Sequence, residues 1–308
     1  MAGNDAGHGI RTRKVKGYGW VPDIPDARDY LYSTPQPVLA ELPPKVDLRS
    51  KCPPVYDQGQ LGSCTANAIG AAFEFDQLKQ QPDKDFMPAR LFIYYNEREI
   101  EGTIDTDSGA MIRDGVKSVA KAGVCSEAMW PYDITKFRDK PTTTCYKDAA
   151  KHQAIVYQRV LNTQNQLQGC LAAGGPVIFG FSVYESFETA EVARTGVMPM
   201  PSITTEKLLG GHAVLAVGYD DASQRFIVRN SWGTGWGQKG YFTMPYGYLT
   251  NPQLAQDFWT IVAVEEEAPA KRSSKAAKRP AKAAKATKAT KATKATKAPK
   301  KNARKGRS

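Results

Sequence analysis

Four side chains in this sequence are of types that do chemistry together: a glutamine, a cysteine, a histidine and an asparagine. They lie in Tyr56-Asp57-Gln58-Gly59-Gln60-Leu61-Gly62-Ser63-Cys64-Thr65-Ala66, in Gly211-His212-Ala213 and in Asn230-Ser231-Trp232-Gly233. Thiol-based acyl transfer needs a nucleophile, a base, a group that orients the base, and a donor for the oxyanion. Cys64, His212, Asn230 and Gln58 are those types. Cys64 stands where a loop with two glycines, Gly59 and Gly62, turns into an apolar run. A thiol at a helix N-terminus meets partial positive charge and free N–H groups, both of which favour thiolate. An asparagine oxygen accepts from an imidazole N–H and fixes the ring without adding charge, and Trp232 is placed to keep water from that bond.

Each residue alone has an ordinary explanation. Cys52, Cys125, Cys145 and Cys170 read as inert buried thiols, and Cys64 by itself divides evenly between that reading and a nucleophile. The histidines are His8, His152 and His212. His8 lies in the polar start and His152 among polar neighbours, so both read as solvated. His212 follows two glycines and opens an apolar strand; in isolation it would be a satisfied core histidine. Asn230 would be a turn residue, Gln58 an exposed loop amide and the tryptophans plain core. The joint pattern is far more specific than its parts.

The elements that must hold these residues change character along the chain. Residues 64–78 carry Ala66, Ala68, Ile69, Ala72, Phe73 and Leu78 at helical spacing with no proline. Further helices are expected over 88–100 and 109–121, the latter stopping at Gly123. Short β-branched or aromatic runs follow at 153–160, 176–183, 212–219, 224–229 and 240–244. A helical half, a β-rich half and a cleft between them suit a two-lobed α+β enzyme.

With 308 residues, 41% of them hydrophobic, the chain can build a large core. It has no apolar run of 18 residues, so no transmembrane helix is expected. The polar, basic start does not look like a secretory signal, and compartment stays open. The five cysteines show no metal-ligand spacing. No metal or organic cofactor is implied. The net charge of +11 hides an asymmetry: residues 271–308 hold 16 of the 42 Lys and Arg and no acid, leaving 26 basic against 31 acidic residues, a net −5, elsewhere. Residues 267–308 are low in complexity, with Lys-Ala-Thr triplets, and are expected to be disordered. Such a tail, 271–308, suits polyanion binding through phosphate-like contacts, without aromatic residues for base stacking; a merely solubilising repeat is the plain alternative.

The motifs resemble those of papain-like cysteine peptidases across roughly residues 45–264. The Gln-to-Cys spacing, Gly-His-Ala and Asn-Ser-Trp-Gly-x-Gly-Trp-Gly all match. His212 lies 148 residues after Cys64, within the family's usual spacing of about 130–150, and Asn230 lies somewhat beyond it. The resemblance implies a papain-like fold over 44–266, with a helical left lobe, a β-rich right lobe and the cleft between. It implies a cysteine-type endopeptidase acting on peptides or proteins, with Cys64 as nucleophile, His212 as base and acid, Asn230 as orienter and Gln58 at the oxyanion. By rough alignment Ser108-Gly109 replaces the family's substrate-binding Gly-Gly. Gly211 and Trp232 are expected to bind substrate as well, and Asp257 is placed near the main specificity pocket. Leu61 replaces a usual cysteine, so one disulfide of secreted members cannot form, and Thr65 replaces an aromatic residue. These departures, with the short proline-rich extension 1–43, are similar to a bacterial branch. That extension carries Tyr18 and Trp20 and is expected either to cover the cleft or to strap the back of the globule. Two other functions are compatible with part of the pattern: a nucleic-acid or polyanion binder with a silent peptidase-like scaffold, and a Cys/His acyltransferase or amidase.

Overall fold

The computed structural model describes residues 17–264; the tail and the first sixteen residues lie outside them. The described chain begins with a strap that crosses the cleft and runs on along the sheet. It contains β1 (Trp20–Val21) and the short helix α1 (Gln36–Ala40), and leads into β2 (Lys45–Asp47).

The helical lobe follows. Helix α2 (Cys64–Gln80) is buried along nearly its whole length, through Gln77. Small residues Ala66, Ala68, Gly70, Ala71 and Ala72 let neighbours approach it on every side. Helix α3 (Arg90–Glu101) ends at Gly102, whose φ of +71° supplies the left-handed cap that only glycine adopts without strain. After β3 (Ala110–Met111), helix α4 (Ile112–Ala122) buries Ile112, Val116 and Val119 at i, i+4 and i+7 and stops at Gly123, φ +77°. The three helices start within three residues of where periodicity places them. Helix α5 (Thr143–Ala149) closes this half.

The second half is β4 (Ala154–Arg159), α6 (Gln164–Ala172), β5 (Val177–Tyr184), α7 (Ala190–Thr195), β6 (Leu208–Asp220), β7 (Arg225–Arg229), β8 (Tyr241–Pro245), α8 (Tyr246–Leu249) and β9 (Ala255–Val264). Its sheet runs β4-β9-β5-β6-β7-β8, all neighbours antiparallel, with β2 added to the far end of β6. β6 is the hub: residues 208–216 pair with β5, and residues from 215 onward pair with β7. Every residue of β5 from Val177 to Phe181 is buried, the mark of a strand covered on both faces.

Aromatic rings fill the space under the sheet's cleft end. Phe187 lies 5.6 Å from Trp232 and 5.6 Å from Trp236, and Phe181 lies 5.7 Å from His212. His152, expected to be solvated, is instead half-buried and packs edge-on against Phe86 at 4.7 Å. Its approach to Phe86 depends on tertiary packing that its polar sequence neighbours do not reveal.

Candidate active site

Cys64 is the first residue of α2, and the turn before it is tied down from several directions. Gly59 takes φ +61° and donates its N–H to Asp57 Oδ1 at 3.0 Å. The Gly62 N–H reaches both oxygens of Asp107, at 3.0 and 3.1 Å. Ser63 caps the helix through its carbonyl, which accepts from the Asn67 N–H at 3.1 Å, while the Asn67 amide donates to Ser63 O at 2.9 Å. The Cys64 N–H therefore lies in the first turn, where no intrahelical acceptor exists. Its Sγ accepts from the Ala213 N–H at 3.3 Å, the residue after His212. The thiol is where the two halves of the molecule meet.

His212 sits on β6 with its ring 5.1 Å from Trp232 and stacked at 30°. Its Nε2 lies 2.9 Å from Asn230 Oδ1, and Nδ1 has no hydrogen-bond partner. Asn230 is held in turn: its Oδ1 accepts from the Ser231 N–H at 2.8 Å, and its own N–H donates to Gly240 O at 2.9 Å. Trp232 is wholly buried, so it forms a wall behind the imidazole and offers no free face to a ligand in this state.

Gln58 is buried beside them. Its Nε2 donates to Leu61 O at 2.9 Å, and its Oε1 accepts from the Ser231 hydroxyl at 2.6 Å. The Gln58 N–H donates to Ser231 O and the Gly233 N–H to Tyr56 O, both at 2.9 Å. The loop bearing the glutamine and the loop bearing the asparagine are thus one short antiparallel ladder. Behind it, the Tyr132 hydroxyl donates to Gln58 O at 3.0 Å. Arg90 lies 3.9 Å over the Tyr132 ring and donates to Asp57 O at 3.1 Å and to Glu127 at 2.8 Å. Sequence reasoning missed Ser231, Tyr132 and Arg90. Ser231 had a local signal, being inside the Asn-Ser-Trp-Gly run; the other two act only through the fold.

The strap is what buries the site. Tyr18 lies 5.7 Å edge-on from the His212 ring and donates its hydroxyl to Glu188. Gly19 O accepts from the Ala110 N–H at 2.8 Å, and a Cβ at Gly19 would fall 1.7 Å from Gly62 O, two residues before Cys64. Ser108 is exposed, whereas Gly109 at φ +76° backs directly on Gly19: a Cβ there would fall 2.1 Å from Gly19 O. The Trp20 indole fills a slot beside Gly180 and Gly211, where an added Cβ would fall 2.0 and 2.5 Å from the ring. Its Nε1 donates to Asp257 Oδ2 at 3.1 Å. Asp257 also accepts from the Asp23 N–H at 2.8 Å, and Asp23 accepts from Trp259 Nε1 at 2.9 Å and from the Arg113 N–H at 3.0 Å.

Burial sets the charge state under this cover. It pushes the Cys64 thiol up to about 12, outweighing the N–H groups of Ala213 and Gly19 that aim at the sulfur. It lowers His212 to about 4, against the contrary pull of Asn230. Burial in the covered cleft thus favours the neutral thiol and the neutral imidazole. Among the described residues no group of three or more His, Cys, Asp or Glu could hold a metal, and no helix is long and apolar enough to cross a membrane. All five cysteines are free.

A helix-borne thiol near a strand-borne imidazole that is hydrogen-bonded to an asparagine, on a helical half packed against an antiparallel sheet, is an arrangement of the kind a papain-type thiol peptidase needs. Residues 42–260 match the papain family of cysteine proteases, and the chain belongs to that family: it is a hydrolase, a cysteine-type endopeptidase. Xylellain, a cysteine protease from Xylella fastidiosa, is 49% identical to it with a TM-score of 0.75, over 81% of this chain and 97% of that one. An uncharacterised peptidase C1-like protein of Acanthamoeba polyphaga mimivirus is 42% identical over 82% of this chain and 88% of its own length. Procathepsin L of Felis catus is 29% identical over 68% of this chain, which spans 62% of that protein. The expected bacterial short-extension branch is thereby shown in the xylellain match, and nothing in these comparisons supports a silent binding scaffold.

Proposed function

We propose that Cys64, His212, Asn230 and Gln58 carry the peptidase reaction. The observation that supports this most is the His212 ring, fixed at Nε2 by Asn230 with Nδ1 unpartnered, on the strand whose Ala213 N–H meets the Cys64 sulfur. Once water enters the cleft, the desolvation that holds both groups neutral is relieved, and the proton passes from Cys64 Sγ to His212 Nδ1. The thiolate attacks the peptide carbonyl carbon, and the carbonyl π pair moves onto oxygen. Gln58 uses one N–H on Leu61 O; its second, with the Cys64 N–H, stabilises that oxyanion. Collapse expels the amine, which takes the His212 proton. Water, deprotonated by His212, attacks the thioester and releases the acid and the thiolate.

Iodoacetamide labelling of a form opened at the strap, followed by peptide mapping, tests the assignment. Modification concentrated at Cys64 with parallel loss of fluorogenic-peptide hydrolysis is expected; hydrolysis surviving full Cys64 modification would overturn it. Gln58→Ala should lower kcat by on the order of 10²–10³ with little change in KM, because the lost donor acts on charge present only in the transition state. An unchanged kcat would remove Gln58 from the oxyanion site.

Residues 1–43 act in this reading as a cleft cover, residues 44–266 as the peptidase domain, and Ser108, Gly109 and Gly211 as the cleft rim that substrate meets after the strap leaves. Burial and the neighbouring Asp257 carboxylate raise Asp23 from 3.8 to about 6, and burial raises Asp257 as well. In the released strap Asp23 returns to its ordinary value. Docking is therefore strongest below about pH 4 and weakens as pH rises through 6, by up to about 10²-fold for a two-unit shift. Susceptibility of the strap to an added protease, measured from pH 4.5 to 7.5, should rise across this window and flatten in Asp23→Asn. A flat profile in the native chain would dismiss the carboxylate pair as the pH-dependent element.

The tail 271–308 supplies polyanion binding by charge density alone. Heparin retention that falls steeply with salt and disappears on truncation after residue 266 is the expected behaviour; equal retention of the truncated chain would exclude it.

A further inference from the structure

The two turns that bear the oxyanion donors are joined behind the cleft by a closed circuit of side chains. One end is Gln58. Its carbonyl accepts from the Tyr132 hydroxyl at 3.0 Å, and the carbonyl before it, that of Asp57, accepts from Arg90 Nη1 at 3.1 Å. The other end is Ser63, the residue before Cys64. Its carbonyl and hydroxyl accept from Asn67 Nδ2 at 2.9 and 3.1 Å, and its hydroxyl lies 2.5 Å from that of Tyr132. Arg90 Nη1 also donates to Asn67 Oδ1 at 3.0 Å, so a single guanidinium nitrogen reaches both ends. Ser63, Asn67 and Arg90 are buried, and Tyr132 is partly so.

Donors and acceptors match all the way round. Tyr132 has one proton, and it lies on Gln58 O, so the Ser63 hydroxyl donates to the Tyr132 oxygen. Ser63 Oγ then accepts from Asn67, whose own oxygen accepts from Arg90. Burial lifts Tyr132 to about 12, so its hydroxyl stays protonated through the neutral range. Arg90 is fixed in turn by Glu127, with Nε and Nη2 each 2.8 Å from one carboxylate oxygen, and its guanidinium lies 3.9 Å over the Tyr132 ring. The circuit meets the two turns through backbone carbonyls and the Ser63 hydroxyl, and leaves Gln58 Nε2 and the Cys64 N–H to the cleft. We propose that Tyr132 and Arg90 are positioning residues for the oxyanion site: they fix the separation and angle of Gln58 Nε2 and the Cys64 N–H. This role holds only with those two groups as the oxyanion donors. Such donors work when their supporting shell holds them within about 0.5 Å of the productive geometry. A remote substitution that misplaces them by about 1 Å costs about 10²-fold in rate.

Iodoacetamide alkylation of Cys64 needs the thiolate but forms no oxyanion, whereas peptide hydrolysis needs both. Both wait for the strap to leave. The ratio of kcat/KM to the Cys64 alkylation rate, measured on the full-length chain, is therefore independent of docking. Tyr132→Phe keeps the ring under the guanidinium and removes only the hydroxyl. It should lower this ratio by on the order of 10- to 10²-fold, with alkylation within about twofold of the parent. Arg90→Lys keeps a cation beside Glu127 but cannot span Asp57 and Asn67 together. It should lower the ratio at least as far, and it carries the test if Tyr132→Phe fails to fold. In a Gln58→Ala background Tyr132→Phe should lose most of its effect, since the donor it positions is gone. A ratio within about threefold of the parent in both variants, whatever their Tm, would reduce the circuit to structural support and overturn the proposal. A full effect of Tyr132→Phe on top of Gln58→Ala would overturn it too. If Gln58→Ala itself leaves the ratio unmoved, the oxyanion assignment fails and the positioning role falls with it.

Discussion

Replacing Cys64 by alanine is expected to lower kcat for a fluorogenic peptide by on the order of 10⁶, to the level of background hydrolysis, in a chain whose strap has been loosened. The size follows from the roles. Without the sulfur there is no thioester, and His212 has no adjacent proton to take. Asn230 and Gln58 would still stand in place, since their hydrogen bonds run to His212, Ser231 and Leu61 and not to the thiol. The fold should survive: the wholly buried Cys64 gives up one accepted bond from Ala213 and keeps its place in the first turn of α2. Equal Tm with activity gone is the expected pair of results. Hydrolysis within tenfold of the parent chain would mean that another group is the nucleophile.

Trp20→Ala is expected to weaken strap docking by on the order of 10²–10³ and to raise activity until the cleft is fully open. The indole is 8% exposed and fills a slot that has no other occupant, so its removal carries the cost of a large buried aromatic, about 3–5 kcal/mol. Asp257 also loses the indole N–H and keeps that of Asp23. The initial rate per mole of enzyme should be independent of enzyme dilution, because cover and cleft belong to one chain. The slot it vacates, floored by the Asp257 carboxylate, should favour peptide side chains that present an N–H donor. A variant no more active than the parent, at matched Tm, would show that the strap does not limit access.

Much of the site was legible because its signals are local. Gln58 and Cys64 are six residues apart in one turn, and Asn230 is followed two residues on by the tryptophan that covers the histidine. Helices α2, α3 and α4 show their periodicity, and glycine ends the latter two. Other parts depend on partners far away in the chain. Strand β9 hid because Gln256 and Asp257 interrupt its apolar run, Asp257 at a positive φ of 58°. Helix α6 hid because glutamines at 164, 166 and 168 leave it few apolar residues. The sequence left open which side of the globule the extension would take. Gly19 carries no sign that its carbonyl meets Ala110, 91 residues on, and only folding brings Tyr132 to Gln58.

The strap's anchors bear on when the enzyme becomes active during its own synthesis. Cys64 emerges early, and His212 and Asn230 roughly 150 residues later, so no catalytic pair exists on a half-made chain. Trp20 and Asp23 are fastened to Asp257 and Trp259, which lie on β9, the last strand among the described residues and a neighbour of β5 in the middle of the sheet. The strand that completes the sheet around His212 is the same strand that seats the strap. On a nascent chain the strap therefore finds these anchors only at the step that also completes the sheet beside the histidine's strand.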